Sequence, residues 1–226
     1  MNENSKAVII GREFDALAGQ YESNRLAPWY KAHADEVLKI CAKLPINNVL
    51  DVGCGTAYLL RQLCTMQGKI KAVGMDLSAE MISNARSKAE AEKFRNLKFI
   101  HADWEALDDE EWRKLKEVGF NLIVCANTLH YFEDPHVATQ KFYELLVDGG
   151  RLIILERDKS SSPLTFLWGF LHRYLIKDQV EFYTQSELIQ IFKEVGFRSV
   201  AVTRSIRRYF WKGKMFTSIA LLNCEK

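Results

Sequence analysis

Short apolar runs and longer helical stretches alternate along the chain. The runs fall at 48–52, 70–75, 97–100, 121–126 and 151–155, and the stretches between them at 56–67, 79–93, 108–116 and 135–147. That rhythm predicts parallel strands with helices on both faces. Local chemistry marks the helix ends. Ser78 is placed to N-cap the second of these helices, with Met81, Ile82, Ala85 and Ala89 on one face. Asp134-Pro135 supplies an N-cap and a proline at the first helical position, and Asp148-Gly149-Gly150 reads as the stop of that helix. Thr184-Gln185-Ser186-Glu187 has the form of a capping box, and Gly196 ends the helix it opens.

Both ends of the chain depart from this rhythm. Residues 197–209 and 215–222 are strand-like and joined through Trp211-Lys212-Gly213-Lys214, which reads as a hairpin connection. Before the first strand, 29–44 shows helical spacing at Trp29, Ala32, Val37, Ile40, Cys41 and Leu44, and this helix is expected to pack on the sheet. The predicted class is α/β: a doubly wound sheet, mostly parallel, with a C-terminal antiparallel hairpin strand and helices on both faces. One domain spans 1–226, divided into a helical cap (1–45), a core (46–156), an insertion (157–183) and a last helix with hairpin (184–226).

The most informative segment is Val49-Leu50-Asp51-Val52-Gly53-Cys54-Gly55-Thr56, an apolar strand followed by a two-glycine turn and a helix start. Glycines let the backbone turn tightly and let a ligand approach it closely. The third glycine of a dinucleotide fingerprint is replaced by Tyr58, and a pyrophosphate would be repelled by Asp51. Both residues disfavour a nicotinamide oxidoreductase, and Asp51 favours a ligand with a positive amine. Asp76, at the end of the second run, has the spacing of a ribose-binding acid, although an acid there also serves to start a helix. Asp103 follows the third run and offers a carboxylate to an exocyclic amine, with Leu77 and Met81 as apolar contacts for a purine. Three acids at three successive strand ends mark the edge where such sheets bind ligands.

S-adenosyl-L-methionine has an amine, a ribose and an adenine, and no phosphate. VLDVGCGTAYL resembles motif I of the class I methyltransferases, and GMDLSAEMI resembles the acidic motif that follows it. HADWEAL, FNLIVCANTLHYFEDP and LLVDGGRLIILE resemble the later motifs, in matching order over 48–156. Among these enzymes the chain looks most like the small-molecule type of ubiquinone and menaquinone biosynthesis. The resemblance implies a Rossmann-like sheet and a methyl transfer that leaves S-adenosyl-L-homocysteine. It implies that Asp51, Gly53, Cys54 (through its backbone) and Gly55 hold the methionine part, and that Asp76 holds the ribose. Asp103 and the Trp104 backbone would take the adenine, Leu77 and Met81 would sandwich it, and Asn127 would bring its backbone near the amine. Tyr21 is carried over as the aromatic residue of the amino-terminal segment that closes over the cofactor.

On the acceptor side, His130 is the first candidate for a general base and Tyr131 for a pocket wall, against the alternatives of positioning and packing. Asn127-Thr128-Leu129-His130 stands where nucleic-acid amino-methyltransferases carry a Pro-Pro-aromatic element, so DNA is not expected as a partner. Residues 163–176 place Leu167, Phe170, Leu171, Tyr174 and Leu175 at helical spacing. That stretch reads as a packed helix, a lid over a hydrophobic acceptor, or a peripheral membrane contact. Six basic residues in the tail (Arg198, Arg204, Arg207, Arg208, Lys212, Lys214) keep an acidic partner or RNA as alternatives.

Composition narrows these readings further. The 226 residues include 31 Lys and Arg against 29 Asp and Glu, a net charge of +2, with 48% hydrophobic residues. Such a chain has enough apolar surface to fold and lacks the basic excess of a general nucleic-acid binder. Its five cysteines are an odd number without a close pair. They are expected to be reduced thiols of a cytoplasmic protein and not a metal site. The overall expectation is a methyltransferase for a small-molecule acceptor, monomeric or homodimeric. A catalytically inactive cofactor-binding interaction module and an RNA methyltransferase stand as alternatives.

Overall fold

The computed structural model of the protein describes residues 5–24, 27–158, 181–206, 210–211, 214–215 and 219–226. Five parallel strands form the bulk of one sheet: β1 (Asn48–Val52), β2 (Lys71–Asp76), β3 (Leu97–His101), β4 (Phe120–Ala126) and β5 (Leu146–Arg157). β6 (Ser199–Ile206) is followed by two-residue strands β7 (Phe210–Trp211) and β8 (Lys214–Met215), which pair with each other at the hairpin connection. β9 (Ile219–Glu225) then inserts between β5 and β6, giving the order β3-β2-β1-β4-β5-β9-β6. β9 is antiparallel to both neighbours, so it runs against the other six strands. This is the mixed, Rossmann-like sheet of the sequence expectation.

Alternation along the strands explains why both faces are covered. In β4, Leu122 and Val124 enter one apolar layer while Ile123 and Cys125 enter the other. Ile153 and Leu155 of β5 divide from Leu152 and Ile154 in the same way. One layer takes Val37 and Leu38 of α2 (Ala27–Cys41), Leu60 and Leu63 of α3 (Tyr58–Met66) and Ala85 of α4 (Ala79–Ala91). The other takes Leu115 of α5 (Asp109–Val118), Phe142 of α6 (Pro135–Leu145) and Phe192 of α7 (Gln185–Val195). A parallel sheet needs such cover on both sides because its strands are apolar on both faces.

The capping signals act as read. The Ser78 hydroxyl accepts from the Met81 N–H, Asp134 accepts from His136 and Val137, and Thr184 and Glu187 complete a reciprocal capping box. Gly196 closes α7 at φ +114. Several boundaries shift. α3 begins at Tyr58 and not at Thr56, because Gly55 (φ +54) and Ala57 (φ +59) hold the turn in the left-handed region. α6 stops at Leu145, before the Asp148-Gly149-Gly150 stop, because Leu146 already pairs with Phe120 and extends β5 toward its amino end. α2 starts and ends two to three residues early, and Ala32 lies on its exposed face. An additional helix, α1 (Lys6–Ala18), is N-capped by Ser5 and packs against α4. The 163–176 stretch and the basic tail side chains beyond Arg198 lie outside the described residues.

Candidate active site

A cavity of about 480 Å³ opens at the carboxyl edge of the sheet, where β1, β2 and β4 end, under a roof formed by α1 and the segment that follows it. Most of the acids, glycines and aromatics singled out from sequence converge on it: Tyr21, Gly53, Gly55, Asp76, Leu77 and Met81, and also Asp103, Trp104, Asn127, His130 and Tyr131. Asp51 and Cys54 line instead a smaller adjoining space of about 70 Å³, which shares Tyr21, Tyr30, Gly53, Ala126 and Asn127 with the larger one.

The glycine turn is fixed by the sheet beneath it. The N–H groups of Gly53 and Cys54 both donate to the Met75 carbonyl, at 2.8 and 3.0 Å. Gly53 has φ +76, and a Cβ there would sit 2.0 Å from Thr128 Oγ1, so no side chain fits. Gly55 lies under the Tyr21 ring, 3.5 Å from where its own Cβ would be, and Tyr21 stacks on Tyr30 at 4.6 Å. Asp76 accepts from the Gly55 N–H (2.7 Å) and the Ser78 N–H (2.9 Å), so it tethers the turn and starts α4 while lining the cavity.

Two carboxyls here are held above the ordinary range. Burial, then the nearby charge of Asp76, pushes Asp51 up to about 7. Burial also raises Asp76, against the pull of its two backbone N–H partners. A cluster of desolvated acids that makes no lysine or arginine ion pair among the described residues favours a cation beside it, which is the charge that the amine of S-adenosylmethionine brings. Asp103 accepts from the Glu105 N–H at 3.0 Å. The Trp104 ring is buried against Phe142 (4.8 Å). Asn127 takes a left-handed backbone (φ +55), and its N–H extends the sheet by donating to the Leu155 carbonyl at 2.7 Å.

On the opposite side, His130 Nδ1 contacts Glu156 Oε1 at 2.6 Å, with both side chains buried. Burial pushes Glu156 up, but the His130 charge and hydrogen bond, the Arg157 N–H and the Arg157 guanidinium outweigh it and hold the carboxyl below its usual range. Tyr131 packs against His130 (4.1 Å) and meets Phe14 of α1 edge-on at 5.4 Å. The Arg157 guanidinium lies 5.3 Å from the Trp29 ring and 5.6 Å from the Phe182 ring.

The roof is attached by charged contacts that sequence reasoning missed. Asp15 accepts from the Ser78 hydroxyl at 2.5 Å and from the Glu80 N–H at 3.1 Å. Glu22, one residue after Tyr21, accepts from the Thr56 hydroxyl (2.6 Å) and from buried Arg61 (2.7 Å), which also pairs with Glu92. His33 contacts the Asn127 side chain at 3.3 Å, and burial pushes its imidazole down to about 4. These pairs lie far apart in sequence and carry no local signal. Glu156 did carry one, since it is a further acid near the end of a strand, like Asp51 and Asp76.

The fold and this edge-on cavity define a class I methyltransferase dependent on S-adenosylmethionine, and the chain belongs to the methyltransferase domain family, whose model matches residues 46–207. Among curated relatives, demethylmenaquinone methyltransferase of Porphyromonas gingivalis is 27% identical over 213 residues, covering 82% of this chain and 83% of that protein. Malonyl-[acyl-carrier protein] O-methyltransferase of Priestia megaterium is 30% identical over 141 residues, covering 58% of this chain and 47% of that protein. The crystal structure of magnesium protoporphyrin IX methyltransferase from Synechocystis, with bound SAH, superposes with a TM-score of 0.73 at 19% identity, covering 98% of this chain and all of that one (100%). That similarity establishes the shared fold. Among the described residues, no helix is long and apolar enough to cross a membrane.

Proposed function

We propose that the protein methylates a small-molecule acceptor with an apolar body, and that His130 takes the acceptor's proton. Bound S-adenosylmethionine supplies a methyl group already activated by its sulfonium, so the chain's own work is to align the nucleophile and exclude water. Gly53 and Gly55 with Asp51 would hold the methionine part, Asp76 the ribose, and Asp103 with the Trp104 backbone the adenine. Leu77 and Met81 would flank the ring, and Tyr21 with Asn127 would close over the amine end. Ile10, Phe14, Tyr131 and Phe132 give the remaining wall an apolar surface for the acceptor.

The observation that carries the acceptor side is the His130–Glu156 contact. With Nδ1–H given to the ionised Glu156, the imidazole's other nitrogen keeps its lone pair for an acceptor proton. Once charged, the ring is compensated by that buried carboxylate. The test reads S-adenosylhomocysteine release over a panel of phenols, hydroquinones and carboxylic acids, beside calorimetric titration of the cofactor. His130→Ala is expected to slow turnover about 100-fold while cofactor affinity stays within about two-fold. Full rate in His130→Ala would remove the proton-accepting role. Tight cofactor binding with no turnover on any acceptor would favour an interaction module instead.

A further inference from the structure

Among the described residues, three basic side chains line the cavity, and they are not equivalent. Lys6 donates to the Phe132 carbonyl at 2.9 Å and faces the carboxylates of Glu105, Glu133 and Glu181. His130 is joined to Glu156. Arg157 differs from both. Its guanidinium is flanked by Trp29 and Phe182, and it makes no ion pair or side-chain hydrogen bond with a described residue. The adjacent carboxylate, Glu156, is already committed to the His130 ring and to the Arg157 backbone N–H. Arg157 is half-buried and lines the cavity.

We infer that Arg157 makes the acceptor side of the cavity a carboxylate site, so that the acceptor is a small organic acid gripped by the guanidinium fork with its apolar body along the aromatic wall. This rests on the methyl-transfer reading above and names its substrate class. Electrostatics supplies the reason. A cationic sulfonium is to occupy the same cavity, and the Arg157 charge, offset only by a carboxylate it shares with His130, opposes it until a further anion arrives. An acceptor carboxylate neutralises that cation, and the planar fork suits a carboxylate through two parallel N–H···O bonds. The Trp29 and Phe182 rings restrict the guanidinium, and a cation–π contact uses the ring face and not the N–H donors. The reach of the Arg157 charge into the interior is visible at His33, where it adds to burial in disfavouring the protonated ring.

The test is calorimetric and needs no knowledge of the natural acceptor. Benzoate, 4-hydroxybenzoate and octanoate are each titrated against the matching methyl ester, with the full chain saturated by S-adenosylhomocysteine. At least one acid is expected to bind about 10-fold or more tightly than its ester. Arg157→Gln should erase that preference and Arg157→Lys should restore part of it, with S-adenosylhomocysteine affinity unchanged in both. Equal affinity, or no binding, for acid and ester in every pair would overturn the inference, as would a preference that survives Arg157→Gln. Failure of the wild-type chain to bind S-adenosylhomocysteine at all would instead sink the methyl-transfer reading.

Discussion

At the scale of single residues, the carboxyl of Asp51 is the one whose state the cofactor should govern. In the ligand-free chain, burial and the neighbouring Asp76 keep it protonated below about pH 7. A cationic amine beside it favours the ionised form, so binding competes with the proton for the same site. Affinity for S-adenosylhomocysteine should therefore be full at pH 8 and fall as pH drops below about 7, by at most about tenfold per unit. Asp51→Asn should weaken binding at pH 8 and flatten the profile, and an unchanged dissociation constant from pH 8 to 6 in the wild type would refute the link. Gly53 offers a steric counterpart. Gly53→Ala places a methyl group against Thr128 at a positive φ, so it should abolish cofactor binding and lower the melting temperature together.

At the scale of elements, two helix attachments of different kinds make a contrast. Thr184 caps α7 through hydrogen bonds confined to residues 184–187, and Thr184→Ala should cost about 1 kcal/mol in denaturant unfolding with no change in cofactor affinity. Glu22 instead ties the segment carrying Tyr21 to Thr56 and Arg61, and burial's upward push on its carboxyl is outweighed by those partners. Glu22→Gln should weaken cofactor binding about tenfold and expose the 19–24 segment to limited proteolysis. The contrast also explains what could be read from the chain. The α7 cap lies within four consecutive residues and was legible in full. The Glu22–Arg61, His33–Asn127 and Asp15–Ser78 contacts span 39, 94 and 63 positions and exist only once the helices dock. Strand-end acids sit between these extremes, because the strand rhythm alone brings Asp51, Asp76 and Asp103 to one edge. The same logic applied to β5 points to Glu156.

At the scale of the whole molecule, the two apolar layers and the cavity are mechanically continuous. Phe142 is fully buried in one layer and stacks on Trp104, whose residue lines the cavity. Phe142→Ala should destabilise the fold by about 3–5 kcal/mol, measured by denaturant unfolding, and should loosen the cofactor through Trp104. The parallel strand–helix architecture was legible because each strand–helix unit declares itself locally. The entry of β9 between β5 and β6 concerns pairings across the chain. Ile154 of β5 lies opposite Leu222, Glu156 opposite Ala220, and the Gly149 N–H donates to the Lys226 carbonyl. The strand that flanks Glu156 is therefore supplied from 64 positions further along the chain. Until β9 docks, β5 has an open edge and the carboxylate behind His130 lacks one wall. Docking of β9 thus completes the sheet and encloses the acid–imidazole pair in one event, so that deletion of β9 should remove both fold and turnover.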